Sequence, residues 1–379
     1  MSREICIRPV TTRADWRRFL DFPYRLYRDA PYWVAPLRIE QKLTLSPRGN
    51  PFWQHARREA FLALDQQGRV LGRIAAIVNG QHLLKYQDAT GFFGFFETVD
   101  DYPVAQGLLD AAGHWLRAQG MRAVRGPANP SLNDVSGLLV RGFEREPAVF
   151  MPYNFPYYEA FLERYGYERV MTTYAYYLHR RYSDFEKLRP WLRELEQHYP
   201  NLCLRCGDRR HFDRELATIM SLYNEGFSGN WGHVPMTEAE FRQLGQLFKH
   251  FLKPELALFL ESDGEPIGFV VALEDLNEVL RFQRDGRLLP FAWLRLWLRW
   301  KLGGVKTVRA ALGGVRRQYQ GHGLAALLGL WAVERNWLSG YDGVELGWIL
   351  QTNKLFIDGL DRIGAARDKE YALFERSLV

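Results

Sequence analysis

At 379 residues, with 47% apolar and 25% charged side chains, the chain is long enough to build two domains with separate cores and too apolar to be a disordered segment. A net charge of +6 and a pI near 9.1 come from scattered arginines, so nucleic acid is not the expected partner; an acidic cofactor or an anionic membrane surface accounts for the excess. The three cysteines Cys6, Cys203 and Cys206, with no secretory leader ahead of them, suit a reducing cytosol, and no apolar run reaches the ~18 residues that span a bilayer.

In chain order, Phe61 to Asn79 reads as a strand, a Gly-containing turn and a second strand. The run TGFFGFFETVDD adds a strand, and the helix AQGLLDAAGHWLRAQG and strand MRAVRGP follow. The stretch from Arg125 to Tyr167 is rich in Asn, Pro and Tyr, a mixture that makes ordered loops; these either close a sheet edge or touch substrate. After the strand TTYAYYLHR a boundary falls between Arg180 and Pro190, dividing the chain into 1–182 and 183–379. Cys203 and Cys206 are spaced Cys-x-x-Cys, but zinc needs two more ligands and His211 stands alone, so no metal is expected. Leu256 to Asn277 then repeats the first hairpin, with Gly268 where the first copy has Gly72, and VKTVRAALGGV, a helix and GVELGWI continue in the same order. Internal duplication follows, and with it an α/β fold of two tandem copies, each around a mixed sheet.

The second copy carries an insertion, residues 284–304 within Arg281 to Lys306, that the first lacks. From Pro290 it reads as a helix of about fourteen residues, ~21 Å long and short of a ~30 Å hydrocarbon core. Phe291, Trp293, Leu294, Leu296, Trp297, Leu298 and Trp300 cover most of its circumference, while Arg295 and Arg299 form a narrow basic stripe. Such a helix either lies in a bilayer interface through 289–302 or packs on the protein as a roof or wall. Either arrangement suits entry of a long acyl chain, whose burial at about 0.8 kcal/mol per methylene supplies on the order of 10 kcal/mol gross.

Beyond the insertion, Val315 to Gly340 reads as a small-residue turn running into a helix whose Leu324, Leu327, Leu328 and Trp331 recur at helical spacing. Gln320, Gly323 and Ala325 are spaced Gln-x-x-Gly-x-Ala, and Gly321 removes another β-carbon. A backbone that can approach a ligand closely, with helix-start N–H groups pointing at it, suits a pyrophosphate. The turn lacks the Gly-Lys-Ser/Thr of a P-loop and the Gly-x-Gly-x-x-Gly of a dinucleotide fold. Between Thr98 and Gly107 the first copy has instead Asp100 and Asp101, which would repel phosphate, so only the second copy is expected to bind it.

The turn resembles the acyl-CoA signature of the GNAT superfamily of N-acyltransferases, and GVELGWILQTNKLFIDGLDRIGAARDKEYALFE resembles that superfamily's closing strand, Asn-headed helix and last strand. The resemblance implies two tandem GNAT-like domains, the C-terminal one with an intact acyl-CoA motif and the N-terminal one degenerate. Acyl-CoA would then be held by Leu312, Gly313, Val315, Gln320, Gly321, His322, Gly323, Leu324, Ala325 and Asn353. The openings YRLYRDAPYWVAPL and TGFFGFFE, the loop NWGHVP and the ending ELGWILQTN are further similar to bacterial tandem-GNAT acyltransferases of the ceramide synthase type. That similarity implies N-acylation of a lipid-like amine, such as a sphingoid base, by a fatty acyl-CoA in the cytoplasm or at the inner membrane face.

Amide formation from a thioester needs a neutral amine, a polarised carbonyl and an acid for the departing thiolate. Carried over by position, Glu345 becomes the candidate base, its other reading being a surface strand carboxylate. The superfamily's usual tyrosine falls at Leu360, which donates nothing, so Tyr371 is the substitute acid or else a core tyrosine. Asn353 also reads as the cap of its helix. Asn224, Asn230, Trp231 and His233 in the loop Tyr223 to Pro235, with Asn277 and Trp348, are candidates to grip the acceptor, or the loop satisfies its own hydrogen bonds. Acetylation of a soluble amine, and a non-catalytic acyl-CoA sensor, are the competing readings; the sensor alone leaves Glu345→Gln and Tyr371→Phe without effect.

Overall fold

The computed structural model describes residues 5–249 and 252–379. Packing divides them into two units: one runs to Thr172 and takes in Val279–Arg299 and Tyr371–Val379, the other holds Thr173–Glu278 and Trp300–Glu370. A cut at residue 182 would assign the insertion and the last strand differently.

In the first unit, strands β1 (Cys6–Pro9), β2 (Ala56–Leu64), β3 (Val70–Asn79), β4 (Thr90–Thr98) and β5 (Ala123–Gly126) lie side by side in that order. All neighbours are antiparallel except β4 and β5, which are joined by the helix Tyr102–Ala118 and run parallel. The crossover is forced, because parallel neighbours cannot be joined by a tight turn. Val104, Ala105, Leu108, Leu109, Ala112 and Leu116 bury one stripe of that helix with Ile74, Ala76 and Val78 of β3. Strand β3 is buried along its whole length, as its near-continuous apolar run VLGRIAAIVN requires of a central strand. The short β6 (Leu138–Arg141) and the long β7 (Glu168–His179) complete the first half of the sequence.

The second unit repeats the plan with β8 (Leu202–Cys206), β9 (Ala257–Ser262), β10 (Glu265–Glu274), β11 (Thr307–Val315) and β12 (Gly343–Leu350), again antiparallel except for the parallel β11 and β12 joined by the helix Leu324–Leu338. The repeat extends to loops at a shift of 200 residues. Ala30 N–H donates to Tyr27 O and Trp33 N–H to Ala30 O, just as Asn230 N–H donates to Phe227 O and His233 N–H to Asn230 O.

The strand that pairs with β5, and the one that pairs antiparallel with β12, each come from the other half of the sequence. The end of β13 (Ala366–Ser377) pairs with β5, Phe374 opposite Gly126, and puts Ala372, Phe374 and Leu378 into the first unit's core. The end of β7 pairs with β12, Glu345 opposite Tyr177, and puts Tyr176 and Leu178 into the second unit's core.

Two expectations need correcting. Strand β10 ends at Glu274, and Asn277 starts the helical turn Asn277–Leu280 with its N–H donating to Asp275 Oδ1. The insertion forms an α-helix only over Ala292–Leu298 and continues as a π-turn, Arg299–Gly303, in place of one fourteen-residue helix. The widening coincides with the point where the Trp300 indole N–H donates to Glu274 Oε2 at 2.9 Å, a contact that a straight α-helix need not meet. At its root, Arg284 donates to the carbonyls of Arg28, Ala30 and Pro31, and Arg38 N–H to Gly286 O, all within the first unit.

Candidate active site

Parallel strands β11 and β12 share four rungs, from Thr307 opposite Gly343 to Ala310 opposite Leu346, and then part although both continue. Each bulges where they separate: the β10 pairing skips Ala311, and the β7 pairing skips Gly347 and Trp348. Bulges end pairing and bend strands, so the sheet opens here into a wedge. Beyond it, Leu312 to Val315 stay bonded to β10 on one edge only. Their other edge offers backbone donors and acceptors to an extended, amide-bearing ligand. Gly314 admits the Phe227 ring, 3.0 Å from where a β-carbon would stand.

At the end of β11 the chain is braced. Arg316 N–H donates to Ile267 O, and its side chain reaches Pro266 O at 3.0 Å and Glu225 at 2.9 Å. Gln320 Nε2 donates to Gly226 O at 2.9 Å and Val315 O at 3.2 Å, so its amide nitrogen holds the loop in shape. Gly321 at φ +81° and Gly323 at φ +79° take the left-handed conformation, which β-carbons disfavour. The helix from Leu324 has no side-chain cap and no acidic residue in its first turn, leaving its electropositive N–H end open to an anion. His322 and Ala325 are exposed beside it, and Leu324 is buried beneath.

The corresponding place in the first unit is filled by the protein itself. Tyr27 and Tyr158 hydroxyls both donate to Glu97 Oε2, Thr98 N–H donates to Tyr158 Oη, and Tyr157 Oη donates to Thr98 O at 2.7 Å. Its helix starts after Asp101 with Pro103 in the first turn, one N–H fewer. Counted from the first parallel rung, Phe92 opposite Arg125 stands where the second unit has Arg309 opposite Glu345.

Glu345 therefore has no carboxylate counterpart in the first unit. It is 5% exposed on the next-to-last shared rung, and neither carboxylate oxygen accepts a hydrogen bond among the described residues. Arg309 Nε lies 3.3 Å from its Oε2. Burial pushes its pKa up to about 7; Arg309 and Lys369 oppose the rise, and Asp275 and Asp368 add to it. A β-carbon on Gly347 would fall 2.7 Å from Glu345 Oε1, so glycine makes room for the carboxylate. Trp348, half-buried, has the Arg309 guanidinium 5.0 Å from its ring centre.

The remaining candidates separate. Asn224 is bonded in both directions to the Met236 backbone, at 3.2 Å and 3.3 Å, the self-satisfied arrangement, and His233 is buried against Tyr223 and Phe227. Asn230 is exposed and Trp231 half-buried at the loop's tip. Asn277 holds its own turn, as above. Asn353 sits at the N-cap position of the helix Lys354–Arg362 without a side-chain capping bond, contrary to the capping expectation. Leu360 is buried in the second core, and Tyr371, fully buried, packs beside Gly137 in the first unit. Among the described residues no group of three or more metal-ligating side chains gathers, and Cys203 and Cys206 are free thiols. Sequence reasoning missed Arg309 and Lys369; the available signal was a cation inside each apolar strand, VRAAL and DKEYALF.

No family model matches the chain. It is 34% identical over 383 residues to Protein YghO of Escherichia coli strain K12, covering 100% of this chain and 97% of that protein. It is also 34% identical over 383 residues to the bacterial ceramide synthase of Caulobacter vibrioides, covering 100% and 98%. Among solved structures, a tandem GNAT protein from the clavulanic acid biosynthesis pathway aligns with a TM-score of 0.55 at 13% identity over 99% of both chains. The glucosamine N-acetyltransferase region of a fungal multi-domain β-N-acetylglucosaminidase aligns with a TM-score of 0.58 at 13% identity, over 99% of this chain and 38% of that one.

Proposed function

The chain belongs to the family of tandem GNAT N-acyltransferases that includes bacterial ceramide synthase, and from that premise we propose that it moves a long-chain fatty acyl group from acyl-CoA to the amine of a lipid-like acceptor such as a sphingoid base. The observation that carries this reading is Glu345, a dry carboxylate at the mouth of the wedge formed as β11 leaves β12.

In the proposed reaction the donor's pantetheine arm lies along the open edge of Leu312 to Val315, and its diphosphate meets the N–H groups after Gly323. The acceptor's neutral nitrogen forms a bond to the thioester carbonyl carbon, and the carbon–sulfur bond breaks. Glu345 takes the proton that leaves nitrogen. The sulfur leaves as thiolate and takes up a proton from water. Asn230, Trp231 and Trp348 are the proposed acceptor contacts, and His322 and Asn353 border the donor.

The insertion supports a lipid-like acceptor. Phe291, Trp293, Leu294, Trp297, Leu298 and Leu302 are exposed although large and apolar, and Arg287, Arg295, Arg299 and Lys301 accompany them. No helix of the described residues is long and apolar enough to cross a membrane, which leaves peripheral contact through 289–302. The double substitution Trp293→Ser with Trp297→Ser should lower partition onto vesicles containing anionic lipid about tenfold or more in a sedimentation assay.

The function is tested by following free thiol with acetyl-CoA and palmitoyl-CoA, each with a sphingoid base and with a soluble polyamine. Release with palmitoyl-CoA and the sphingoid base alone is expected. Release with acetyl-CoA and polyamine alone would refute the lipid reading.

A further inference from the structure

We propose that Arg309 is a positioning residue of the transfer reaction: one guanidinium holds both the Glu345 carboxylate and the turn by which β12 parts from β11. The inference rests on the reading of Glu345 as the base and deepens it.

Arg309 is 3% exposed in the apolar strand VRAAL, where an unpaired cation would be costly. Its position on the rung opposite Glu345 puts both side chains on the same face of neighbouring strands, roughly 4.8 Å apart. From there Nε lies 3.3 Å from Glu345 Oε2, Nη2 donates to Gly347 O at 3.0 Å, and Cζ stands 5.0 Å from the centre of the Trp348 ring. A planar fork can hold three such groups at once; an ammonium point charge cannot. In the first unit both members of the pair are different, Phe92 and Arg125, and Arg125 is turned to Glu375.

The groups that act on Glu345 come from every neighbouring element. Arg309 stands on β11, Asp275 just beyond β10, and Asp368 and Lys369 on β13, with the Lys369 ammonium bonded to Asp368; Tyr177 on β7 pairs with Glu345 through the backbone. Among these groups Arg309 does most to favour the ionised carboxylate. Its charge and its shape then have separate consequences: the charge sets the pH at which Glu345 ionises, and the fork sets where the carboxylate and Trp348 stand.

The test uses the full chain and two readouts from about pH 5 to about pH 9: the pH profile of thiol release, and the infrared band of a protonated carboxyl group assigned by its loss in Glu345→Gln. Arg309→Met should raise the midpoint in both readouts by about one unit or more and lower kcat/KM at neutral pH at least about tenfold. Arg309→Lys should keep the midpoint within about half a unit of wild type while lowering kcat about tenfold, since charge survives and the fork does not. Should Arg309→Met fail to fold, Arg309→Gln, neutral but able to donate to Gly347 O, takes its place. A midpoint that Glu345→Gln removes and the neutral Arg309 variant leaves in place overturns the proposal alone. A midpoint that survives Glu345→Gln refutes the base reading itself, and the proposal falls with it.

Discussion

Gly323→Val is expected to abolish binding of CoA thioesters of every chain length, raising Kd at least about a hundredfold in a calorimetric titration. Gly323 is held at φ +79° immediately before the helix Leu324–Leu338. Valine resists that conformation by about 1–2 kcal/mol or more, and its side chain would crowd the opening over which a diphosphate must settle. The N–H groups after it are uncapped by any side chain, so no alternative donor set stands by to take over. Strain alone is separated from lost binding by Gly340→Ala at the far end of the same helix. Gly340, at φ +93°, has open space where its β-carbon would go, and its variant should lose stability but bind CoA as wild type does. Undiminished binding by Gly323→Val would refute the placement of the cofactor.

Glu345→Gln should lower kcat by about two to four orders of magnitude and leave donor affinity within about twofold, because it removes a proton acceptor without touching the phosphate turn. The pH dependence gives the sign. With a pKa of about 7, the carboxyl is protonated and idle below neutrality, so wild-type kcat/KM should climb about tenfold per unit up to pH 7 and level off above it. The residual rate of Glu345→Gln should show no such limb. Stability runs the other way. A folded pKa raised from the usual 4.5 to about 7 means that the native state keeps a proton the unfolded chain has lost, so stability falls between those two values, by on the order of 3 kcal/mol. Thermal melts across that window should show the decline in wild type and a flatter profile in Glu345→Gln. Full activity of Glu345→Gln would refute Glu345 as the base.

The small-residue turn before Leu324 is legible in sequence because its signal is local: small residues a few positions apart, followed by a helical stripe. Glu345 is legible through its place in a closing strand. Arg309 is not, because its meaning depends on a parallel register that brings it beside a residue 36 positions later, and no short-range pattern records that. The acceptor loop misleads for the opposite reason. Asn224 has the composition of a ligand contact, yet a bond to Met236 twelve residues on uses it structurally. The insertion's apolar faces are plain from composition, whereas its rooting in the first unit through Arg284 depends on backbone carbonyls more than 250 positions away.

The exchange of strands bears on how tightly the two copies are tied to each other. After a duplication, a superfluous half is ordinarily free to erode or be deleted. Here β7 pairs with the strand that carries Glu345, and the tail of β13 pairs with β5. Deleting the first half would strip a core-forming strand, with Tyr176 and Leu178, from the second unit and leave an apolar rim unpaired. The two halves are thus bound to a common fate by covalent economy: each supplies backbone that the other's core requires.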